Sequence, residues 1–185
     1  MSTVSGQTAV RPTPPKIHVV IVIDIEDVKG RSSKDIEGAS RLAARRASYN
    51  EVEKASNVIG VNLTHIPFEK LDFGETDILD KFYNAEVAIV DMSMQVQQSA
   101  LSYHIGVREN MNMPKTAVMM HDYNHELTIS SKLSCSGTDF FPYIVDEDGV
   151  CLIAEMPGGS DSSSSQKTVN DRSASLFVAI KKIIK

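Results

Sequence analysis

The chain has 185 residues, 42% hydrophobic and 23% charged, which suits one globular domain with tails and is long enough to bury a core. Its net charge of −5 at pH 7 argues against a nucleic-acid polymer as partner, which would need a basic face. No apolar run is long enough to span a membrane and the opening MSTVSGQTAVRPTPPK lacks the apolar centre of a signal peptide, so no membrane contact and a cytoplasmic location are expected.

Residues 1–16, with Pro12, Pro14 and Pro15, read as a disordered lead-in. Residues 17–185 read as one domain. Ile17 to Ile23 is β-branched and almost continuously apolar, as a central parallel strand covered on both faces should be. It runs into the acidic cluster Asp24-Ile25-Glu26-Asp27. Lys29 to Arg46 is polar without a clear period and reads as a loop or a weak helix. Ala47 to Val58 turns helical, with Val52, Ala55 and Val58 on one side and Gly60 as a stop. Val61 to Ile66 alternates like a second strand, and Glu75 to Tyr83 is a short helix.

Ala85 to Asp91 is a third strand, again ending in an acid. Gln97 to Glu109 is helical, with Leu101, Ile105 and Arg108 on one side. Thr116 to Met120 is a fourth strand. Phe140 to Val145 and Val150 to Ala154 flank Asp146-Glu147-Asp148-Gly149, a hairpin signal. The serine-rich stretch that follows gives a flexible loop over 158–168. A last helix from about Asn170 places Leu176, Ile180, Ile183 and Ile184 on a docking face. The order predicts an α/β fold: a three-layer, Rossmann-like domain with a mainly parallel sheet, helices on both faces, and a C-terminal hairpin plus helix.

Two short matches suggest a kinase. Asp72-Phe73-Gly74 has the letters of a magnesium-holding tripeptide, and Val178-Ala179-Ile180-Lys181 those of an ATP-lysine strand. They occur in the wrong order, without a glycine-rich phosphate loop or a His-Arg-Asp, and the second lies in a helical pattern. Gly74 followed by Glu75, Thr76 and Asp77 reads instead as a turn into a helix with acids at its positive end. Both matches are coincidence, and no kinase chemistry is expected of these 185 residues.

The longer context is informative. KLDFGETDILDKFYNAEVAIVDMS followed by ALSYHIGVREN resembles the N-terminal region of the apoptosis signal-regulating kinases, stress-activated mitogen-activated protein kinase kinase kinases. The match is clearest from Phe68 to Glu109 and continues through Cys135 to Tyr143. The resemblance implies a noncatalytic regulatory domain that works through protein contacts, with reduced thioredoxin and other regions of the parent kinase as partners. In the family a thioredoxin-responsive cysteine precedes the last helix. Here that approach, Gln166 to Arg172, has none, and the two cysteines present, Cys135 and Cys151, stand elsewhere as the redox candidates. Neither forms a Cys-x-x-Cys pair or a zinc-ligand pattern, and two ordinary reduced thiols is the commoner state in a cytosolic chain.

AEVAIVDMS and SALSYHIGVRENMNMPKTAVM also look like the core of nucleoside deoxyribosyltransferases and their deoxyribohydrolase relatives. In that family a helix reading aromatic-Glu-hydrophobic-Gly supplies a carboxylate to the anomeric carbon. The chemistry needs the negative charge, because cleaving a glycosidic bond builds positive charge on the sugar. Here the helix reads Tyr103-His104-Ile105-Gly106, so His104 stands where the resemblance puts glutamate. Glu109, five residues on, is turned by about 500° and faces elsewhere. No catalytic residue is assigned.

A dead site can still bind. Asp24, Asp91 and Ser93 follow strand ends, where open α/β sheets take ligands, and Ser99, Tyr103 and His104 approach from the helix. These six outline a vestigial nucleotide crevice. Asp24 and Asp91 have an equally physical use as helix caps, Tyr103 as a core aromatic, and His104 as a satisfied interior histidine. His121 and His125, four apart, fit a solvated loop or a first helical turn better than a metal site, and neither a metal nor a cofactor is expected. The alternative function is thus a deoxyribohydrolase-like domain that binds or hydrolyses a nucleotide.

Overall fold

The computed structural model describes residues 17–26, 36–113, 115–135, 137–154 and 175–185. The expected tail over 1–16, the loop over 158–168 and the Gln166–Arg172 approach lie outside them.

The six strands are β1 (His18–Val22), β2 (Asn62–Ile66), β3 (Val87–Asp91), β4 (Thr116–His121), β5 (Asp139–Val145) and β6 (Cys151–Ile153). They form one sheet in the order β2-β1-β3-β4-β5-β6. Every pairing is parallel except the antiparallel β5–β6 edge. The chain steps from β1 to β2 on one side and returns through β3 on the other, so the topological switch point lies between β1 and β3. The expected mainly parallel α/β sheet is what forms.

Two apolar layers sandwich the sheet. Alternation along β1 sends Val19 and Ile21 to one side and Val20 and Val22 to the other. The first side is covered by α1 (Ile36–Ile59) and α6 (Leu176–Ile184), which supply Val52, Ala55, Leu176 and Ile180. The second is covered by α2 (Phe68–Asp72), α3 (Thr76–Tyr83), α4 (Gln98–Asn110) and α5 (His125–Ser134), through residues such as Leu71, Phe82, Leu101 and Cys135.

Three differences from the sequence reading are instructive. First, α1 starts at Ile36, eleven residues before the helical pattern at Ala47, so part of the stretch read as a loop or weak helix is regular helix. From Leu42 to Ser48 the buried positions are Leu42, Ala44, Arg45 and Ser48, mostly small or polar, and a purely apolar periodicity registers little beyond Leu42. Second, α5 is a full helix where only a loop or first turn was read. Asn124 opens it, its Oδ1 accepting from the backbone N–H of Glu126 at 3.1 Å and Leu127 at 3.2 Å. Third, α6 is described from Leu176, inside the longer helix expected from about Asn170.

The other punctuation follows expectation. At Asp72-Phe73-Gly74, α2 ends and the chain turns through Gly74 at φ +70°, a conformation that favours glycine, before α3 begins. Val178 to Lys181 lies within α6. The β5–β6 hairpin turns through Gly149 at φ +78°, and Asp146 Oδ1 accepts from Val150 N at 2.8 Å.

Candidate functional site

The strand ends carry polar side chains to both faces of the sheet, and parity decides which. Val87 and Ile89 of β3 face α1 and α6, so Asp91 continues on that side, as His121 does after Ala117 and Met119 of β4. Tyr143 of β5 belongs to the same layer and pairs with His121 in register. Asp91 therefore ends inside a polar knot. Its Oδ1 accepts from Ser93 N at 3.1 Å, and its Oδ2 accepts from Ser93 Oγ at 2.9 Å and from Tyr143 OH at 3.2 Å. Ser93 Oγ accepts in turn from His121 N at 2.8 Å. The His121 ring stacks on Tyr143 at 5.5 Å between centroids, 28° from parallel.

Burial pushes the Asp91 carboxyl up to about 6, against the lowering influence of the Ser93 and Tyr143 hydrogen bonds and of Arg45. Burial and the neighbouring Asp91 charge together hold the Tyr143 phenol well above its ordinary value. Burial also lowers His121, with Asp122 opposing that shift and Arg41 and Arg45 adding to it.

Asp24 points the other way. Its Oδ1 accepts from Phe68 N at 3.0 Å, the first residue of α2, and its Oδ2 accepts from Gln97 Nε2 at 2.6 Å. It ties the end of β1 to the start of α2 and to the short 3-10 turn Gln95–Gln97. Arg45 of α1 reaches its backbone, Nε donating to Asp24 O at 2.8 Å.

On this second face an open groove of about 800 Å³ lies between the α2–α3 pair and α4. Leu79 and Tyr83 line one wall, Ser99, Tyr103 and His104 the other, and Asp72 stands at the α2 end. A 2.6 Å hydrogen bond joins His104 Nδ1 to Tyr83 OH, and Phe82 and Tyr103 meet the imidazole edge-on. Burial lowers the His104 pKa, with Asp72 opposing the shift. Ser99 is exposed and Tyr103 is 68% exposed.

The six candidates thus divide. Asp91 and Ser93 are bonded together on the α1 face, Asp24 is engaged by α2 and Gln97, and Ser99, Tyr103 and His104 share the groove. Glu109 faces elsewhere, its Oε1 accepting from Thr138 Oγ1 at 2.8 Å beside a separate cavity of about 200 Å³. No cluster of three metal-ligating side chains occurs among the described residues.

The cysteines are both free and buried. Cys151 belongs to the α1–α6 layer, and burial above all pushes its thiol up to about 12. Cys135 belongs to the α2–α5 layer, its Sγ 3.8 Å from Met92 Sδ, and burial with Glu109 nearby raises its pKa.

Sequence reasoning missed Tyr143, Gln97 and Tyr83, which single residues in unremarkable contexts do not announce. Arg108 was placed on the right face of its helix, but its burial was not foreseen. Fully buried, it donates to the backbone carbonyls of Phe82 and, at 3.1 Å, Ala85, and to Thr116 Oγ1 at 3.0 Å, stitching α3, α4 and β4 together. Desolvation lowers its pKa to about 10.

Comparison with known proteins gives two family models. Residues 51–86 match the deoxyribohydrolase domain of the ASK signalosome, and residues 101–185 match the MAP3K TRAFs-binding domain. Mitogen-activated protein kinase kinase kinase nsy-1 of Caenorhabditis elegans is 42% identical over 161 residues, 85% of this chain and 10% of that protein. The domain is of the apoptosis signal-regulating kinase type. Mitogen-activated protein kinase kinase kinase 5 of Homo sapiens is 35% identical over 112 residues, covering 56% of this chain and 8% of the relative. Mitogen-activated protein kinase kinase kinase 15 of Mus musculus is 42% identical over 100 residues, covering 50% and 8%. The chain spans about a tenth of the length of the relatives it matches. The matched region is the N-terminal part of this kinase type. The two matches leave residues 87–100, and with them β3, between them; β2 falls in the first match and β4, β5 and β6 in the second, so in this kinase-type domain they cover separate parts of one sheet.

Proposed function

We propose that this region is a noncatalytic regulatory domain, residues 17–185, of a cytoplasmic stress-activated mitogen-activated protein kinase kinase kinase, and that it acts in stress signalling through protein contacts. The observation that carries this reading is the engagement of His104. It is hydrogen-bonded to Tyr83 with its pKa lowered, and the groove residues contributed by α4 and the turn before it include no carboxylate. A neutral imidazole cannot offset the positive charge of glycosidic cleavage, and a protonated one would repel it. The match to a TRAFs-binding domain model supports protein partners. Thioredoxin and other regions of the parent kinase are the proposed ones, with thioredoxin held noncovalently because both thiols are buried.

A second reading, nucleotide binding or hydrolysis, is favoured by one observation: the buried Asp91–Ser93–Tyr143 knot at the carboxyl end of the sheet, where such folds take ligands. Incubating the purified domain with deoxynucleosides separates the two. The regulatory reading expects no free base. Base release abolished by Asp91→Asn or His104→Ala would establish the second reading instead. Titration calorimetry with reduced thioredoxin should show binding that survives Cys135→Ser and Cys151→Ser, and no heat with either form would remove thioredoxin from the partners.

A further inference from the structure

The groove between α3 and α4 carries an unusual concentration of exposed apolar surface. Val96 is 86% exposed, Phe73 73% and Tyr103 68%; the other large apolar residues exposed to a comparable degree, Val58, Met111 and Leu133, do not line the groove. Val96 and Tyr103 line the groove, and Phe73 lies in the chain between the lining residues Asp72 and Gly74. Exposed large apolar residues gathered at one concavity mark an interaction surface, whereas scattered ones do not. The groove runs between two helices, a shape that accepts a third helix through anchors at i, i+3, i+4 and i+7.

Charge indicates what kind of helix. Asp72 is the one acidic residue lining the groove, and burial lowers the pKa of His104, the one histidine there. Glu75 precedes Leu79 by one helical turn and continues the acidic rim. The wider α2–α3 surface is also acidic: Glu69, Asp72, Glu75, Asp77 and Asp80 are exposed against Lys70 and Lys81. The opposite wall, from Val96 through Val107, offers no charged lining residue. An occupant matching this pattern is apolar along one stripe and basic along the flank facing α2–α3.

We infer that the α3–α4 groove is a docking site for an amphipathic helix of a partner protein, with large apolar anchors that pack between Leu79, Val96 and Tyr103 and a lysine or arginine that meets Asp72 and Glu75. This rests on the protein-contact reading and gives it a place and a partner chemistry. The site lies on the face of the sheet away from the Asp91 knot, so occupancy leaves that knot untouched.

The test uses a fluorescein-labelled helical peptide of about 18 residues, with leucines at i, i+3, i+4 and i+7 and lysines on the flanks. Anisotropy titration of the full chain should give saturable binding, weakened at least tenfold by Val96→Asp and by Tyr103→Asp, and severalfold by Asp72→Asn. Leu133→Asp adds the same charge at an equally exposed residue of α5 and should leave binding unchanged. Circular dichroism of each variant confirms that it folds. Several results would overturn the inference: no saturable binding, equal loss in Leu133→Asp, equal binding of a glutamate-flanked peptide, or a groove shown by sedimentation to be occupied by a second copy of the chain. Base release and thioredoxin binding are measured separately, so the groove can fail while the regulatory reading stands.

Discussion

Two polar sites on opposite faces of the sheet, the Asp91 knot and the His104 groove, are built in opposite ways. On the α1–α6 face a carboxylate, a phenol and a hydroxyl are sealed in and satisfy one another. On the α2–α5 face an imidazole is held at the wall of an open groove beside exposed aromatic surface. The first arrangement costs desolvation and resists ligands until something opens. The second leaves apolar area in water, which only an occupant can remove. A buried polar group at a strand end is therefore no sign by itself of an accessible site, and parity along the strand decides which kind it becomes.

The largest expected effect tests what fixes the groove wall. Arg108→Ala leaves the Phe82 and Ala85 carbonyls without their guanidinium donor and opens a void in the core, which should cost about 4 kcal/mol in urea unfolding. A loss under about 1 kcal/mol would mean that α3 and α4 hold their spacing without it.

Next comes the sealed face. The folded pKa of Asp91, about 6, stands above its ordinary 3.8, so its contribution to stability is fully present below about 3.8 and is lost as pH rises through 6. Relative to Asp91→Asn, the wild type should lose about 3 kcal/mol between pH 3.5 and pH 7. A flat difference across that range would show that the knot is hydrated. The histidine on the same face, His121, is present in both proteins and cancels to first order.

The groove should answer with the opposite sign and a smaller amplitude. His104 has a folded pKa below its ordinary 6.5, so its contribution is present above 6.5 and lost as pH falls through the folded value. Against His104→Asn, the wild type should weaken on acidification where it gains against Asp91→Asn. Tyr83→Phe, which removes the hydroxyl at 2.6 Å, should cost about 1 kcal/mol at pH 7. The same sign for both faces would dissolve the contrast. The smallest effect is expected at Phe73→Ser, within about 0.5 kcal/mol of wild type because the ring is already in water. A larger loss would show that the turn after α2 is packed.

Much of the architecture was legible because β1 and β3 are nearly continuous apolar runs rich in valine and isoleucine and the turn glycines Gly60, Gly74 and Gly149 sit where positive φ is needed. The first half of α1 was not legible, since apart from Leu42 its buried positions are Ala44, Arg45 and Ser48, residues that periodicity counts as neutral or polar. The site was legible in residue identity and not in arrangement. The motif that places His104 could be read along the chain, but which face of the sheet receives Asp91 depends on strand parity relative to helices that the sequence does not order. Tyr143, which completes the knot, comes from a strand 52 residues away.

The separation of the two thiols has a consequence of its own. Cys135 and Cys151 lie in different apolar layers with the sheet between them, so they cannot join in a disulfide while the fold is intact. Each is instead a clock for its own layer. The rate at which a thiol reagent labels Cys151 measures how often the α1–α6 cover lifts, and the rate at Cys135 measures the same for the α2–α5 cover. An oxidant meeting this domain would register how often each layer opens before it registered any chemistry specific to cysteine.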